Sequence, residues 1–592
     1  MIQRSLRLTL AASALLSLTS TVGCGKSSCD LMFASADPTA GQAPAERNAG
    51  SPTPSAAAAR VLEEADIIQT DGDRLYTMSK AAGLAVVGIA SADKPTLLGK
   101  HPLAGRPFEM YRRGDVVLAM SNDVFDRNGA ERTAAQVDRA APSLPPSELP
   151  RSTPVTGSAQ IVALDAKYPG SIRKIASFEI PGEIADTRAV GDVLYVVSYE
   201  GDACHGCASE PRTVITSFDV SDPAKAKQID QVAFNADRTA TSWKRSVAAS
   251  AQRLYVAGLE IVRDADGTQT QSAIDVLDVS DPTGHIGVGA KLRIKGEILS
   301  RWQMDEHDGV LRVVSQQDIS RTRNGTGAPY VDTFTITDSR TISPLGETTL
   351  NTHIQEALKS VRFDGPRAYA ITFQNTDPLF TIDLSDPAAP KQAGELKIPG
   401  FVHHIEPRGD RLVGLGVEQT ANFGQLQVSL FDVSDMASPK MLDRVAFGAY
   451  NGLQDLTEDQ DRIHKAFRVF DDHGLIAVPH TARYADGYGT SSCAPSDGAV
   501  QLIKLDRDAL SKQALLTTPG APRRALVHRD HLFTVSETNI RAFTLDVQDG
   551  DKPVGDLTIG ECQLTTPQWG DDRDFEGRGR MGNDVWHGGT CE

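Results

Sequence analysis

Aromatic residues are scarce in this 592-residue chain, at 6% with four tryptophans, and cysteine is scarcer still at seven. Seven cysteines are too few for a disulfide scaffold but enough for a few staples in an oxidising compartment. Positive charge is also short: 60 Lys and Arg face 77 Asp and Glu, for a formal charge of −17. Such a chain has no electrostatic reason to seek phosphate backbones, so nucleic acid is not an expected partner. Gly-x-Ser-x-Gly, His-Glu-x-x-His and phosphate-cradling glycine loops are all absent, which removes the ready-made signatures of a serine hydrolase, a zincin and a P-loop NTPase. Beyond residue 22 no run of 18 apolar residues occurs, so no helical membrane span is expected there.

What is present begins at the N-terminus. Arg4 and Arg7 precede an uncharged stretch, Leu8 to Val22, which is the length of a signal-peptide core. It runs into Thr21-Val22-Gly23-Cys24, which resembles a bacterial lipobox, with Thr21 where Leu is usual. Cys24 is the expected lipidation site, so that a palmitate-bearing lipoprotein anchor holds the chain to a membrane. The resemblance and the Gly25 that follows imply the outer membrane of a Gram-negative envelope. Removing residues 1–23 takes away two arginines and leaves a charge near −19. Residues 36–59 are almost all Ala, Pro, Ser, Gly, Thr and Asn, a composition that cannot bury a core and reads as a linker.

From Glu64 onward one pattern keeps returning. Asp219-Val220-Ser221-Asp222-Pro223, Asp278-Val279-Ser280-Asp281-Pro282, Asp383-Leu384-Ser385-Asp386-Pro387 and Asp432-Val433-Ser434-Asp435 each close an apolar, β-branched run. Degenerate versions end at Asp165, Asp338, Asp506 and Asp546. Ser and Asp bond their own downstream backbone and Pro stops ladder pairing, so the motif is a strand ending in a fixed turn. A hairpin turn precedes it, as in Gly191-Asp192 and Gly409-Asp410, and a further strand ending in Gly follows it, as in Gly394 to Gly400. Four antiparallel strands per unit make a propeller blade. Units start near Asp66, Pro107, Ile184, Trp243, Leu299, Leu358, Phe401, His464 and Arg524. No helical period persists in them. The expected fold is all-β: a single closed propeller of eight or nine four-stranded blades over residues 61–561, with two smaller rings as the alternative. A signal peptide (1–23) and a lipidated linker (24–60) precede it, and a Gly- and Asp-rich tail (562–592) follows. Residues 122–157 and 449–462 read as insertions.

The stretch from Ser360-Val361-Arg362-Phe363 through Thr376-Asp377-Pro378-Leu379-Phe380 to Gly400 resembles the signature of the secreted bacterial and archaeal β-propeller-domain family. The opening Glu64-Ala65-Asp66-Ile67-Ile68 is similar to that family's start, and His464-Lys465-Ala466-Phe467 to a later block. The resemblance implies fold and export and transfers no catalytic residue.

Sites are sparse. Cys204-His205-Gly206-Cys207 has redox-motif spacing, but Ala208 stands where haem attachment needs His, and no βαβ context surrounds it. A local disulfide is the expected reading. Cys204–Cys207 and Cys562–Cys591 are the favoured pairs, leaving Cys29 and Cys493, although six cysteines allow 15 pairings. Asp264-Ala265-Asp266-Gly267, Asp126-Arg127-Asn128-Gly129 and Asp549-Gly550-Asp551 could hold structural calcium, yet none continues into an EF-hand, and Asp-Gly is also a hairpin turn. His403-His404 opens a strand, so its rings are expected on opposite faces; His528 and His531, flanking a turn, are expected at the surface. Arg362, His404 and Lys465 lie near unit starts and are the candidate binding-face residues. Two function classes follow: a membrane-anchored, monomeric scaffold that binds a protein, peptide or glycan, or a periplasmic hydrolase, lyase or dehydrogenase with its site in the channel. Quinone-dependent propeller dehydrogenases use adjacent cysteines and repeated tryptophans, which this sequence lacks, and binding is the favoured class.

Overall fold

A computed structural model describes residues 61–124, 158–201, 211–235, 244–264, 267–316, 327–352, 357–373, 377–418, 424–448, 460–481 and 498–561. Nine antiparallel sheets follow one another along the chain, eight of four strands and one of five. Their innermost blade strands are Ile68–Asp71, Arg106–Arg113, Glu183–Val190, Ser246–Ala249, Met304–His307, Ala357–Asp364, Phe401–Arg408, Arg468–Phe470 and Pro522–His528. The nine starts expected from the repeat each match a real blade, and the count is nine.

The middle strands are buried on both faces, as at Arg411–Val417 and Leu426–Asp432, because each blade is sandwiched between two others. That is why they read as continuous apolar runs rather than as alternation. Outer strands keep the period of two, as in Leu510–Thr518. Core clusters join neighbours: Leu118 and Ile161 of blade 2 pack with Leu194 and Val196 of blade 3. The same holds across the ends of the chain, where Leu75 and Val87 of blade 1 pack with Phe533 and Ile540 of blade 9. The ring is therefore single and closed, and the two-ring alternative falls.

The recurring Asp-Ser-Asp turn does what its chemistry allows. Asp432 Oδ1 accepts from the Ser434 amide at 3.0 Å and its hydroxyl at 2.6 Å, and Asp435 Oδ1 accepts from the Ala437 amide at 3.0 Å. Asp219, Asp278 and Asp383 bind their own Ser in the same way. Each turn then docks on the preceding blade. Thr381 Oγ1 donates to the Met436 carbonyl and Thr333 Oγ1 to the Pro387 carbonyl, both at 2.6 Å. Asp549 and Asp551 also serve backbone, accepting from the amides of Leu515 (2.7 Å) and Gln548 (2.9 Å).

Three expectations need correction. Gln460–Ala466 (α1) is helical despite the absence of a visible helical period, and it stands directly ahead of the inner strand of blade 8, which starts at Arg468. Seven residues are too few to display a period of 3.6. His528 is not a simple surface residue, since its Nε2 lies 3.0 Å from Asp73 Oδ1 across the blade 9–blade 1 joint. At His403-His404 strict alternation is interrupted by a β-bulge between Val402 and His404. All seven cysteines, the 264–267 loop tip at 265–266, and Asp126–Gly129 lie outside the described residues.

Candidate functional site in the central channel

The N-terminal strand Leu62–Glu64 (β1) does not join blade 1. It adds to the inner edge of blade 3, pairing Leu62 with Val190 and Glu64 with Arg188. The chain then bridges to blade 2, where the Met110 amide donates to the Asp66 carbonyl at 3.0 Å, before entering blade 1. Residues 62–66 thus run inside the ring. A short 3₁₀ turn, Arg301–Gln303, and α1 reach toward the same place from blades 5 and 8.

Glu64 is the hub where these elements meet. Its Oε1 lies 3.0 Å from Arg301 Nη2, 3.2 Å from Lys465 Nζ and 3.5 Å from Arg188 Nη2, and its Oε2 lies 3.4 Å from His464 Nε2. Burial opposes ionisation, but these cations outweigh it and hold the Glu64 carboxyl well below its usual range. Lys465 also reaches Glu109 at 2.6 Å. Burial would lower the Lys465 ammonium, yet Glu109 and Glu64 keep it above its usual value. Residues 62–66 and the groups around Glu64 form a plug in the ring, and on its other side Arg524 grips Asp66 with Nη2 at 2.8 Å and Nε at 3.0 Å from Oδ1.

A second chain of contacts runs beside the hub. The Arg362 guanidinium stacks on Trp302 at 3.6 Å, and Arg301 stacks on the same ring at 4.6 Å. Arg362 Nη2 lies 2.8 Å from His404 Nδ1, and His404 Nε2 lies 2.8 Å from Glu406 Oε1. An arginine can only donate, so Nδ1 accepts and Nε2 carries the proton that it gives to Glu406. Burial first, then Arg362, push the His404 imidazole down to about 4, so it is neutral at pH 7. Burial would raise Glu406, but His404, Arg408 and Arg362 bring it to about 2.

A β-bulge recurs near the start of the inner strands of blades 2, 3, 6, 7 and 9. In blades 3, 6 and 7 the residues at and beyond it are Asp186 and Arg188, Ser360 and Arg362, and His404 and Glu406. A bulge re-aims the side chains after it, and here those include five of the charged or titratable groups above.

Below the plug the channel opens. A void of about 740 Å³ is lined by the inner strands of blades 8, 9 and 1, with Asp66 and Lys465 at its inner end and Asp472, His473 and Arg529 toward the blade turns. The Arg529 side chain is 58% exposed and Lys465 only 9%, so the mouth is on the turn side.

The three candidate binding residues are all brought to the channel, and all three are buried: Arg362 at 8% exposure, His404 at 0% and Lys465 at 7%. Only Lys465 borders the void. The sequence reading missed Glu64, Glu109, Arg188, Trp302 and Arg524. A signal existed, because Glu109 stands between Phe108 and Met110, and Arg188 between Thr187 and Ala189, in strands that must be buried. A charge in such a place has to be paired. Among the described residues no cluster of three or more His, Cys, Asp or Glu could hold a metal ion.

The family described as "Beta propeller domain" matches residues 59–212 and 204–547. An uncharacterized protein of Archaeoglobus fulgidus is 32% identical over 221 residues, 36% of this chain and 32% of that one. An uncharacterized protein of Methanocaldococcus jannaschii is 37% identical over 153 residues, 26% of this chain and 23% of its own. The chain thus spans about a third or less of these relatives. Among solved structures, Chaetomium thermophilum Sqt1 aligns with a TM-score of 0.37 and 12% identity, covering 60% of this chain and 79% of that one. Kluyveromyces lactis Hsv2 aligns with a TM-score of 0.34 and 10% identity, covering 64% and 96%. With nine blades in its ring and family matches taking in most of its length, this chain belongs to the β-propeller domain family.

Proposed function

We propose that the chain is an envelope lipoprotein, anchored through Cys24, whose propeller is a binding scaffold for a protein, peptide or glycan taken up at the channel mouth. The observation that carries the reading is the void between blades 8, 9 and 1. Its volume of about 740 Å³ falls within the range of about 300–1,000 Å³ usual for ligand sites. Its walls mix both charge signs, with Arg468, Asp472 and His473 exposed at the mouth. The His404–Glu406 pair is sealed away from it, with His404 fully buried, so the titratable pair closest to acid–base geometry does not face the space a substrate would fill. Val61, at the start of the described chain, lies beside the turn of blade 3, where its carbonyl accepts from the Gly191 amide. The described chain therefore enters the ring on the same side as the mouth, which is where a tether ahead of Val61 would attach.

The test is a screen of the full exported chain against a peptide library and a glycan array, with Thr70→Trp as control. Thr70 is an exposed residue lining the void, so Trp there fills the space without touching the core. Binding by the native chain that Thr70→Trp removes supports the reading. Equal binding by both chains, no binding at all, or turnover of a substrate overturns it. For the anchor, Cys24→Ala should leave unprocessed or soluble protein, and persistence in carbonate-washed membranes would overturn lipidation at that residue.

A further inference from the structure

We infer that the void takes an extended peptide by strand addition to the inner edges of blades 8, 9 and 1. The inference rests on the channel-binding reading above and names its ligand class. The molecule already contains the event in question. β1 lies as a fifth strand on the inner edge of blade 3, in antiparallel register over Leu62, Glu63 and Glu64, and the Asp66–Met110 bridge carries the same covering onto blade 2. An extended segment of chain therefore fits between the ring axis and a blade edge, at a depth where side chains on the added strand reach partners on three other blades.

Blade 3 is covered in this way and blade 2 is touched by the single Asp66–Met110 bridge, whereas among the described residues no strand covers the next three around the ring. Ile68–Asp71 pairs only with the second strand of blade 1, Arg468–Phe470 only with that of blade 8, and Pro522–His528 only with that of blade 9, among the described residues. Their other edges face the axis, and they are the edges that line the void. A strand edge presents a row of backbone donors and acceptors, which is a template for another extended chain. A glycan or a compact organic ligand would match such a row at one or two groups. A peptide matches it at every second residue, with its alternate side chains facing the opposite wall. That wall is ionic: Asp66 and Lys465 lie at the closed end, Arg468 and Asp472 at the open one. The exposed Arg468 has no ion pair with a described residue, so an acidic side chain or a terminal carboxylate on the peptide would complete it.

The experiment selects heptapeptides from a random library on the full chain, keeps those lost on Thr70→Trp, and resynthesises them with backbone N-methyl groups. One series carries the methyls at odd positions and the other at even positions. Strand addition requires one series to lose at least about tenfold in affinity, since each methyl removes a donor aimed at the blade edge, while the other changes by less than about threefold. Equal effects of the two series overturn strand addition and leave channel binding standing. Selection of channel-dependent glycans with no channel-dependent peptide overturns the peptide as occupant. Failure to select any ligand sensitive to Thr70→Trp removes the scaffold reading itself, and this inference with it.

Discussion

Gly555 of the last blade sits against the Ala92 carbonyl of the first, so close that a Cβ at 555 would stand 2.0 Å from that oxygen. The same joint recurs inside the ring. A Cβ at Gly394 would lie 2.3 Å from the Met436 carbonyl, at Gly346 2.6 Å from the Pro387 carbonyl, and at Gly289 2.1 Å from the Ser339 carbonyl. In each case an outer strand lacks a side chain where the next blade's Asp-rich turn presses in. Blade 9 thus meets blade 1 as blades 4, 5 and 6 meet their successors, and closure needs no special device.

Gly394→Val should therefore destabilise by more than the roughly 1–3 kcal/mol of ordinary overpacking, because backbone and not a flexible side chain stands in the way. Gly409→Ala is the contrast. Gly409 has a φ of +62° with nothing within 4 Å of the added carbon, so it should cost only the left-handed strain, about 1–2 kcal/mol. Calorimetric melting of both variants checks the order. A Gly394→Val chain that melts with or above Gly409→Ala would refute the joint.

Glu64→Gln should loosen the plug. The substitution leaves Arg301, Arg188 and Lys465 facing one another with their shared anion gone, and losing one partner of a buried ion network costs about 3–5 kcal/mol. β1 holds blade 3 by only three residue pairs. The loss should appear first as faster hydrogen exchange at Leu62–Glu64 and Arg188–Val190, with the outer strands still protected. Uniformly faster exchange across all nine blades would show instead that the hub supports the whole ring.

Much of this architecture was legible in the sequence because the repeat is enforced by local chemistry. Asp383, Ser385 and Asp386 form their turn from their own side chains, and Gly394 marks the joint, so a period of about 40–60 residues survives wherever that turn does. The candidate site was legible only in part. Arg362 and His404 stand near the starts of their blades, and the blade geometry sends them inward, while Lys465 is carried in by α1 just ahead of blade 8. Their partners come from far along the chain: Lys465 meets Glu109 across 356 residues, and Arg524 meets Asp66 across 458. No local pattern announces such a meeting. β1 was invisible for a related reason, since three residues that pair with the third blade instead of the first carry no period of their own.

Stability should fall on mild acidification. The folded His404 takes its proton only near pH 4, while an unfolded histidine takes it near 6.5, so protonation favours the unfolded chain. The contribution is complete above pH 6.5 and is lost between 6.5 and 4, about 3 kcal/mol over that span. Glu406, at about 2, adds a further loss below about pH 4.5. Melting temperatures taken from pH 7 to 4 should drop, and His404→Gln should flatten the drop. An unchanged slope in His404→Gln would assign the acid sensitivity elsewhere.

Removing blade 9 should destroy the ring rather than shorten it. A chain ending at Gly520 loses Phe533, Val535 and Ile540, which cover Leu75 and Val87 of blade 1. It also loses Leu532 and Phe543, which cover Leu502 and Leu516 of blade 8. Two apolar blade faces are then exposed at once, together with the void's missing wall. Arg524 goes with them, leaving Asp66 without the guanidinium that pins the plug. Blades depend on neighbours for both faces, so the remaining eight have no way to bury these surfaces except by closing a smaller ring or by pairing with other molecules. The joints do not favour a smaller ring, because the outer strand of blade 8 is built to receive the turn of blade 9: Gln513 Nε2 donates to the Leu545 carbonyl at 2.7 Å. The expected result is aggregation on size exclusion with strong dye binding to exposed apolar surface. A monodisperse 61–520 fragment with native strand content would show that closure is not what stabilises the blades.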